Sequence, residues 1–235
     1  MKNGISVFIF AYNEEEFIVQ TCKRLEAILE KVNLNYEIIV LDDCSTDNTS
    51  KNFLTEFSDK EKFRIISINR NTGLSGLIKL SLGHANYNRL TYFPGDDSFL
   101  SKNLDNFFLR SADHDLVIGV RKNTEVFNIK RKVLSKFNNL MISFLCLKRL
   151  GDAHGLQIHS KNNLSKVSFF GIRYACWVEI LPTIFMNAKL KYCEEDIFVN
   201  QETLFKSNTL SSGTVKNFAV VWIKMFLKRF LNFKF

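Results

Sequence analysis

Residues 36–50 read YEIIVLDDCSTDNTS. Tyr36–Leu41 is a short run rich in β-branched and aromatic side chains, the pattern of a buried strand. It ends on two adjacent carboxylates, Asp42 and Asp43, and passes into a turn-rich stretch up to Ser50. A strand apolar on both sides needs cover on both sides. This stretch therefore predicts a parallel sheet flanked by helices.

The same rhythm runs outward in both directions. Ile5–Phe10 (ISVFIF) is a second such strand. Asn13 is placed to cap a helix with Glu14, Glu15 and Glu16 in its first turn, and Phe17, Ile18, Cys22, Leu25, Ile28 and Leu29 recur at helical spacing. Downstream, the patterns predict a helix over Ser50–Phe57, a strand over Phe63–Ile68 and a helix over Ser75–Asn86. A strand over Leu90–Phe93 closes at Pro94-Gly95, followed by a helix over Ser101–Arg110 and a strand over Leu116–Val120. The second half reads as an amphipathic helix over Val133–Leu150, a turn and short strand over Gly151–Ser160, and a helix over Tyr174–Ala188 that Pro182 kinks or restarts. A strand over Leu190–Asn200 and a final helix over Val215–Phe235 complete it. The expected organisation is one α/β domain over residues 1–213, with a basic amphipathic helix over 214–235 appended.

Ligands of such sheets bind beyond the carboxyl ends of the strands. The polar clusters fall there: Asn13-Glu14 after the first strand, Asp42-Asp43 after the second, Asn69–Gly73 after the third and Asp96-Asp97 after the fourth. By topology alone they converge on one site.

Five motifs carry a resemblance. Phe10-Ala11-Tyr12-Asn13-Glu14 resembles the strand-end motif of family 2 glycosyltransferases, and Ile39–Thr49 (IVLDDCSTDNT) their second, acidic motif. Asn71-Thr72-Gly73 with Gly76 and Ala85 is similar to their Asn-x-Gly segment. Phe93–Phe99 (FPGDDSF) falls where they carry the D-x-D metal motif. Val117–Arg121 (VIGVR) resembles a strand of the polyprenyl-phosphate sugar transferases, the subgroup of the dolichol-phosphate mannose synthases. The resemblance implies a glycosyltransferase-A-like fold, a mostly parallel sheet with helices on both faces, and transfer of a sugar with inversion from a nucleotide donor.

It also implies roles. Ala11, Tyr12, Glu14 and Asp42 line the nucleotide pocket. Asn71 and Gly73 either touch the donor or only form a turn. Asp96, with Asp97 beside it, holds Mg2+ or Mn2+ as a Lewis acid at the leaving diphosphate. The sequence departs here from the usual motif, with Pro94 where its first Asp often stands. Asp152 is carried over as an acceptor-side or metal-side carboxylate, and Glu179 as a catalytic helix glutamate or a plain helix-face acid. Arg121, Lys206 and Lys216 are the candidates for a diphosphate or an acceptor phosphate. Ser45, Thr46 and Asp47 are read as caps of the next helix.

Charge adds a partner. The formal net charge is +8. Residues 121–150 carry eight basic residues against Glu125, and residues 216–235 carry five and no acid. Basic helices with apolar faces read as lying in a membrane interface, and 23 phenylalanines fit that reading. Five cysteines without a C-x-x-C spacing point to a reducing cytoplasm rather than to disulfides or zinc. The expected acceptor is a polyprenyl phosphate at the cytoplasmic face of a membrane, reached peripherally. The alternative acceptor is a sugar hydroxyl of a surface glycan or lipopolysaccharide precursor, with Asp152, Glu179 or Asp196 as base. The rival class is a non-catalytic basic module binding anionic lipid or nucleic acid. The acidic strand ends repel phosphate backbones unless a metal is bound, so no nucleic-acid partner is expected.

Overall fold

The computed structural model describes residues 2–127, 129–171, 173–203, 212–231 and 233. Seven strands form one sheet: β1 (Lys2–Ala11), β2 (Tyr36–Asp42), β3 (Phe63–Ser67), β4 (Tyr87–Pro94), β5 (Leu116–Lys122), β6 (Gln157–Ser160) and β7 (Tyr192–Phe198). Their order is β3-β2-β1-β4-β6-β5-β7. All neighbours are parallel except β6, which runs antiparallel between β4 and β5. The connecting helices are α1 (Ile18–Lys31), α2 (Thr49–Phe57), α3 (Gly73–His84), α4 (Leu104–Leu109), α5 (Ile129–Cys146), α6 (Lys161–Leu164), α7 (Trp177–Asn187) and α8 (Ser212–Leu231). The chain builds outward from β1 in one direction through β2 and β3, then crosses to β4 on its other side. The order reverses at the β1/β4 boundary, and ligands of open α/β sheets bind at such a switch point.

Alternation along β1 and β2 divides the core. Val7, Ile9, Ile38 and Val40 face one layer with Phe53 and Phe57 of α2 and Phe107 and Phe108 of α4. Phe8, Ile39 and Leu41 face the other, with Ile78 of α3 and Ile180 of α7. Burying a large apolar side chain contributes about 1.5–3 kcal/mol, so these rings contribute much of the sheet's stability. Pro182 lies inside α7 and does not end it.

Two elements start elsewhere than their sequence pattern suggests. Asn13 adopts a left-handed φ of 58° and does not cap α1, which begins at Ile18. The backbone N–H groups of Glu14 and Glu15 are instead donated across the chain, to the Thr49 hydroxyl and to Asp47. Helix α5 begins at Ile129, four residues before Val133.

The C-terminal helix closes the second face of the domain. Val221 and Met225 bury into a cluster with Leu116 and Ile118 of β5, Ile142 and Leu145 of α5, and Val178 and Leu181 of α7. Phe226 and Phe230 of α8 lie against Phe144 of α5, with centroids 6.5 and 5.3 Å apart. Two of its lysines turn inward: Lys224 sits 5.0 Å from the Phe170 ring, and it and Lys228 act on Glu179.

His159 on β6 is 1% exposed, and neither ring nitrogen has a hydrogen-bond partner among the described residues. Burial pushes its pKa down to about 3. The unfolded chain, with a His pKa near 6.5, binds the proton more readily. Stability therefore falls as pH drops from about 6.5 towards 3, by about 2–3 kcal/mol between pH 7 and pH 4.5. Urea unfolding of the wild type and His159→Leu at both pH values measures this part. Equal pH dependence in the two proteins would contradict it.

Candidate active site

Four loops meet at the carboxyl ends of β1, β2, β3 and β4. The Gly95 N–H donates to the Phe10 carbonyl at 2.9 Å and the Asp43 N–H to the Ala11 carbonyl at 2.9 Å, which stitches the strand ends together. Asn13 locks onto the β2 loop: Ser45 Oγ accepts from its N–H, and its Oδ1 accepts from the Thr46 N–H at 2.8 Å. Ser45 and Thr46 thus latch two loops rather than cap α2. Asp47 precedes the N-cap residue, Asn48, which has no side-chain cap bond, and accepts from the Thr49 N–H at 3.0 Å as a local turn.

The sequence-read donor residues line this edge. Tyr12 is half-exposed and Ala11 is buried directly beneath it. Glu14 flanks Gly95, where an added Cβ would lie 3.1 Å from Glu14 Cγ and 3.2 Å from the Phe10 carbonyl oxygen. Asp42 is buried and accepts from the Ser45 N–H at 2.9 Å and from the Ser50 hydroxyl. Asp43 takes the Thr72 and Gly73 N–H groups at 2.7 and 3.0 Å, fixing the turn before α3. Gly73 holds a φ of 64° there, which explains glycine at that position. Asn71 leans on the Asp43 carbonyl at 3.4 Å.

Asp96 and Asp97 part company. Asp96 is half-buried, and its Oδ1 accepts from the Ser98 N–H and hydroxyl. Asp97 takes a left-handed φ of 54°, and its side chain is 2% exposed. Its Oδ2 accepts from Arg24 at 2.8 Å and from Gln20 at 3.2 Å, both on α1. Burial pushes the Asp97 pKa up against the pull of Arg24, with the Asp96 charge adding to the rise. The two neighbouring carboxylates thus have different partners, Arg24 and Gln20 for Asp97 and Ser98 for Asp96. Nothing in the sequence flagged Arg24, a helix residue 73 positions away.

Two further carboxylates singled out in the sequence have internal partners. Glu179 is fully buried, and its carboxylate accepts from the Phe170 and Gly171 N–H groups at 2.9 and 3.0 Å. Burial raises its pKa against those bonds and the nearby lysines. It fastens the 170–171 segment through these two bonds. The Asp152 carboxylate accepts from Arg121 Nε at 2.6 Å, Nη2 at 3.2 Å and the backbone N–H at 3.3 Å. Burial alone would raise its pKa, but His154 and the guanidinium outweigh it and hold the carboxyl well below the usual range. Asp196 is half-exposed and pairs with Lys122 at 3.1 Å. Lys216 is exposed in the second turn of α8, and Lys206 lies outside the described residues.

Gly119 and Gly155 bring the Asp152 turn onto β5. A Cβ on Gly155 would lie 1.7 Å from the Gly119 carbonyl oxygen, so only glycine permits this approach. It places Arg121, two strand spacings or about 10 Å from β4, at the same edge as Asp96.

A doubly wound sheet with acidic loops at its switch point has the architecture of the glycosyltransferase-A-like fold. A family model described as Glycosyl transferase family 2 matches residues 6–169, more than two thirds of the chain. The chain belongs to that family and is a glycosyltransferase. Similar solved structures include glucosyl-3-phosphoglycerate synthase from Mycobacterium tuberculosis. Its complex with Mn2+, UDP and glucosyl-3-phosphoglycerate aligns with a TM-score of 0.67 at 15% identity, covering 97% of this chain and 80% of that one. Its complex with Mg2+ and UDP gives a TM-score of 0.66 at 16% identity, covering 97% and 79%.

Proposed function

We propose that this enzyme transfers a sugar, with inversion, from a uridine-diphosphate sugar to a polyprenyl phosphate at the cytoplasmic face of a membrane. The similar synthase binds UDP with Mn2+ or Mg2+, which supports the donor. Loops 11–14, 42–50 and 71–73 would hold the nucleoside, and Asp96 faces the diphosphate. Mg2+ is commonly bound through one or two carboxylates plus substrate phosphates, so one hard oxygen donor at this strand end fits such an ion. When bound, it neutralises the leaving diphosphate.

The acceptor phosphate oxygen is already anionic. It attacks the anomeric carbon while the bond to the diphosphate oxygen breaks and the electron pair leaves with UDP. No side chain has to remove a proton. The carboxylates considered as bases agree with this. Asp152 is held by Arg121, Glu179 is sealed, and Asp196 pairs with Lys122.

The observation that carries the membrane part is one continuous outward face. Ile129, Val133, Phe137, Leu140 and Phe144 of α5 are exposed beside Ile223, Phe226 and Phe230 of α8. Neither helix contains an acidic residue, and each carries four basic ones. Such a face suits an anionic bilayer surface. Among the described residues no helix is long and apolar enough to cross a membrane. Leu140 and Ile223 are 65% and 61% exposed. The double variant Leu140→Glu/Ile223→Glu should stay folded, bind UDP as the wild type does, and lose at least ~10-fold in co-sedimentation with anionic vesicles. Unchanged vesicle binding would refute the membrane role.

A further inference from the structure

The turn that carries Asp96 is held from behind by the segment that follows β7. Phe99 forms an antiparallel bridge with Val199. The Leu100 N–H donates to the Phe198 carbonyl at 2.9 Å, and the Asn200 N–H to the Ser98 carbonyl at 2.7 Å. The Asn200 side chain adds a further tie. Its Nδ2 donates to the Asp97 carbonyl at 3.1 Å, and the Thr203 hydroxyl donates to the same oxygen at 3.3 Å. Asn200 therefore grips two consecutive carbonyls of the turn, one through its backbone and one through its side chain.

The Asp97–Ser98 peptide lies between Asn200 and the Asp96 carboxylate. Its carbonyl accepts from Asn200 and Thr203, and its N–H donates to Asp96 Oδ1 at 3.1 Å. A peptide group is planar, so fixing its carbonyl fixes the direction of its N–H. Asn200 thus aims the N–H that holds Asp96. A hydrogen-bond chain through one peptide also polarises it, which strengthens the bond at the far end. Asp97 adopts its left-handed φ of 54° within this chain. That conformation is uncommon outside glycine, and ties from outside the turn maintain it.

Asn200 is itself set on both sides. It is buried, and its Oδ1 accepts from the Glu202 N–H at 3.3 Å. That bond identifies the amide oxygen and turns Nδ2 towards Asp97. Val199 before it pairs through both backbone groups with the Asn123 side chain, at 2.9 and 3.0 Å, and Gln201 after it donates to the Asn123 carbonyl at 3.2 Å. The brace thus stands on the residue that follows β5. The side chain at 200 accepts from an N–H and donates to a carbonyl at once. A carboxamide does both on separate atoms, whereas an ionised aspartate of the same shape only accepts.

We infer that Asn200 is a positioning residue for the divalent ion: acting through the Asp97–Ser98 peptide, it holds the Asp96 carboxylate in the orientation that receives the ion with the donor diphosphate. The inference rests on the reading of Asp96 as the carboxylate that faces the diphosphate. It adds that the segment after β7 sets the orientation of Asp96, which its own turn alone does not.

Titration calorimetry of the full chain with UDP, in Mn2+ and in EDTA, tests it, with urea unfolding alongside. The wild type should bind UDP more tightly in Mn2+ than in EDTA. Asn200→Ala should lose at least ~10-fold of its UDP affinity in Mn2+, the scale of removing an outer partner of a metal ligand, with the affinity in EDTA unchanged. Thr203→Val removes one hydroxyl and keeps the shape of the side chain. It should lose about 3-fold in Mn2+ alone, the scale of one neutral hydrogen bond, and it decides the matter if Asn200→Ala does not fold. An unchanged Mn2+ dependence in folded Asn200→Ala, or in Thr203→Val where that variant decides, would overturn the inference and leave the Asp96 reading intact. So would equal losses in Mn2+ and in EDTA, which mark a general structural role. A wild type that binds UDP equally with and without Mn2+ would instead contradict the Asp96 reading itself.

Discussion

Asp96→Asn should lower kcat by at least ~10²-fold without measurable loss of stability. The Asp96 carboxylate stands at the end of β4, against the switch point, and among the described residues its hydrogen bonds run to Ser98 on its own turn. An asparagine keeps the shape and an acceptor oxygen for those bonds but removes the charge that a divalent ion at the diphosphate requires. Losing one positioned electrostatic group of this kind typically costs 10²–10³ in rate. Metal-dependent UDP binding should weaken in parallel. Steady-state kinetics over a Mn2+ series, with urea unfolding as the control, separates the two effects. Near-normal turnover in the folded variant would remove Asp96 from the metal.

The adjacent substitution should behave in the opposite way. Asp97→Ala should destabilise the fold by about 3 kcal/mol, the scale of breaking a buried ion pair while leaving one partner in place. Arg24 would keep its bond to the Phe99 carbonyl but lose its carboxylate, and Gln20 would lose its acceptor. The Asp97 backbone carbonyl also accepts from Asn200 and Thr203, which ties β4 to the segment after β7, so the loop has little freedom to relax. The folded fraction should still bind UDP with Mn2+. Urea midpoints of Asp97→Ala, Arg24→Ala and the double variant form a cycle whose coupling should exceed ~1 kcal/mol. Additive losses would mean the pair is incidental, and abolished metal-dependent binding in folded Asp97→Ala would return Asp97 to the metal.

The contrast between these neighbours shows what sequence could and could not supply. The strands were legible because apolar runs such as ISVFIF and YEIIVL have no period but that of a buried strand. The crevice was legible because parallel connections send every strand-end cluster to one edge. Partnerships set by long-range packing were not. Asp97 looks like Asp96 until α1 presents Arg24 to it. Glu179 looks like an available acid until the 170–171 turn folds onto it. The start of α1 was misplaced because Glu14 and Glu15 donate their N–H groups to residues more than 30 positions away. The brace behind Asp96 joins the turn after β4 to Asn123 and Asn200, a meeting that no local pattern encodes. The C-terminal helix read correctly as amphipathic. Its inner face, Val221 and Met225, packs on the core, and nothing in the sequence distinguishes a core-facing apolar residue from a bilayer-facing one.

Sugar transfer is read from its product. The protein is incubated with isotope-labelled UDP-sugars, Mn2+ and farnesyl phosphate in anionic vesicles, and the lipid fraction is read by mass spectrometry. A labelled glycosyl phosphate should form only with the divalent ion, with the anomeric configuration inverted relative to the donor, and should disappear in Asp96→Asn. Label appearing instead on a sugar hydroxyl of an added glycan, with none on the phosphate lipid, would contradict the acceptor. Failure to bind or turn over any nucleotide sugar in the presence of metal would contradict the account as a whole.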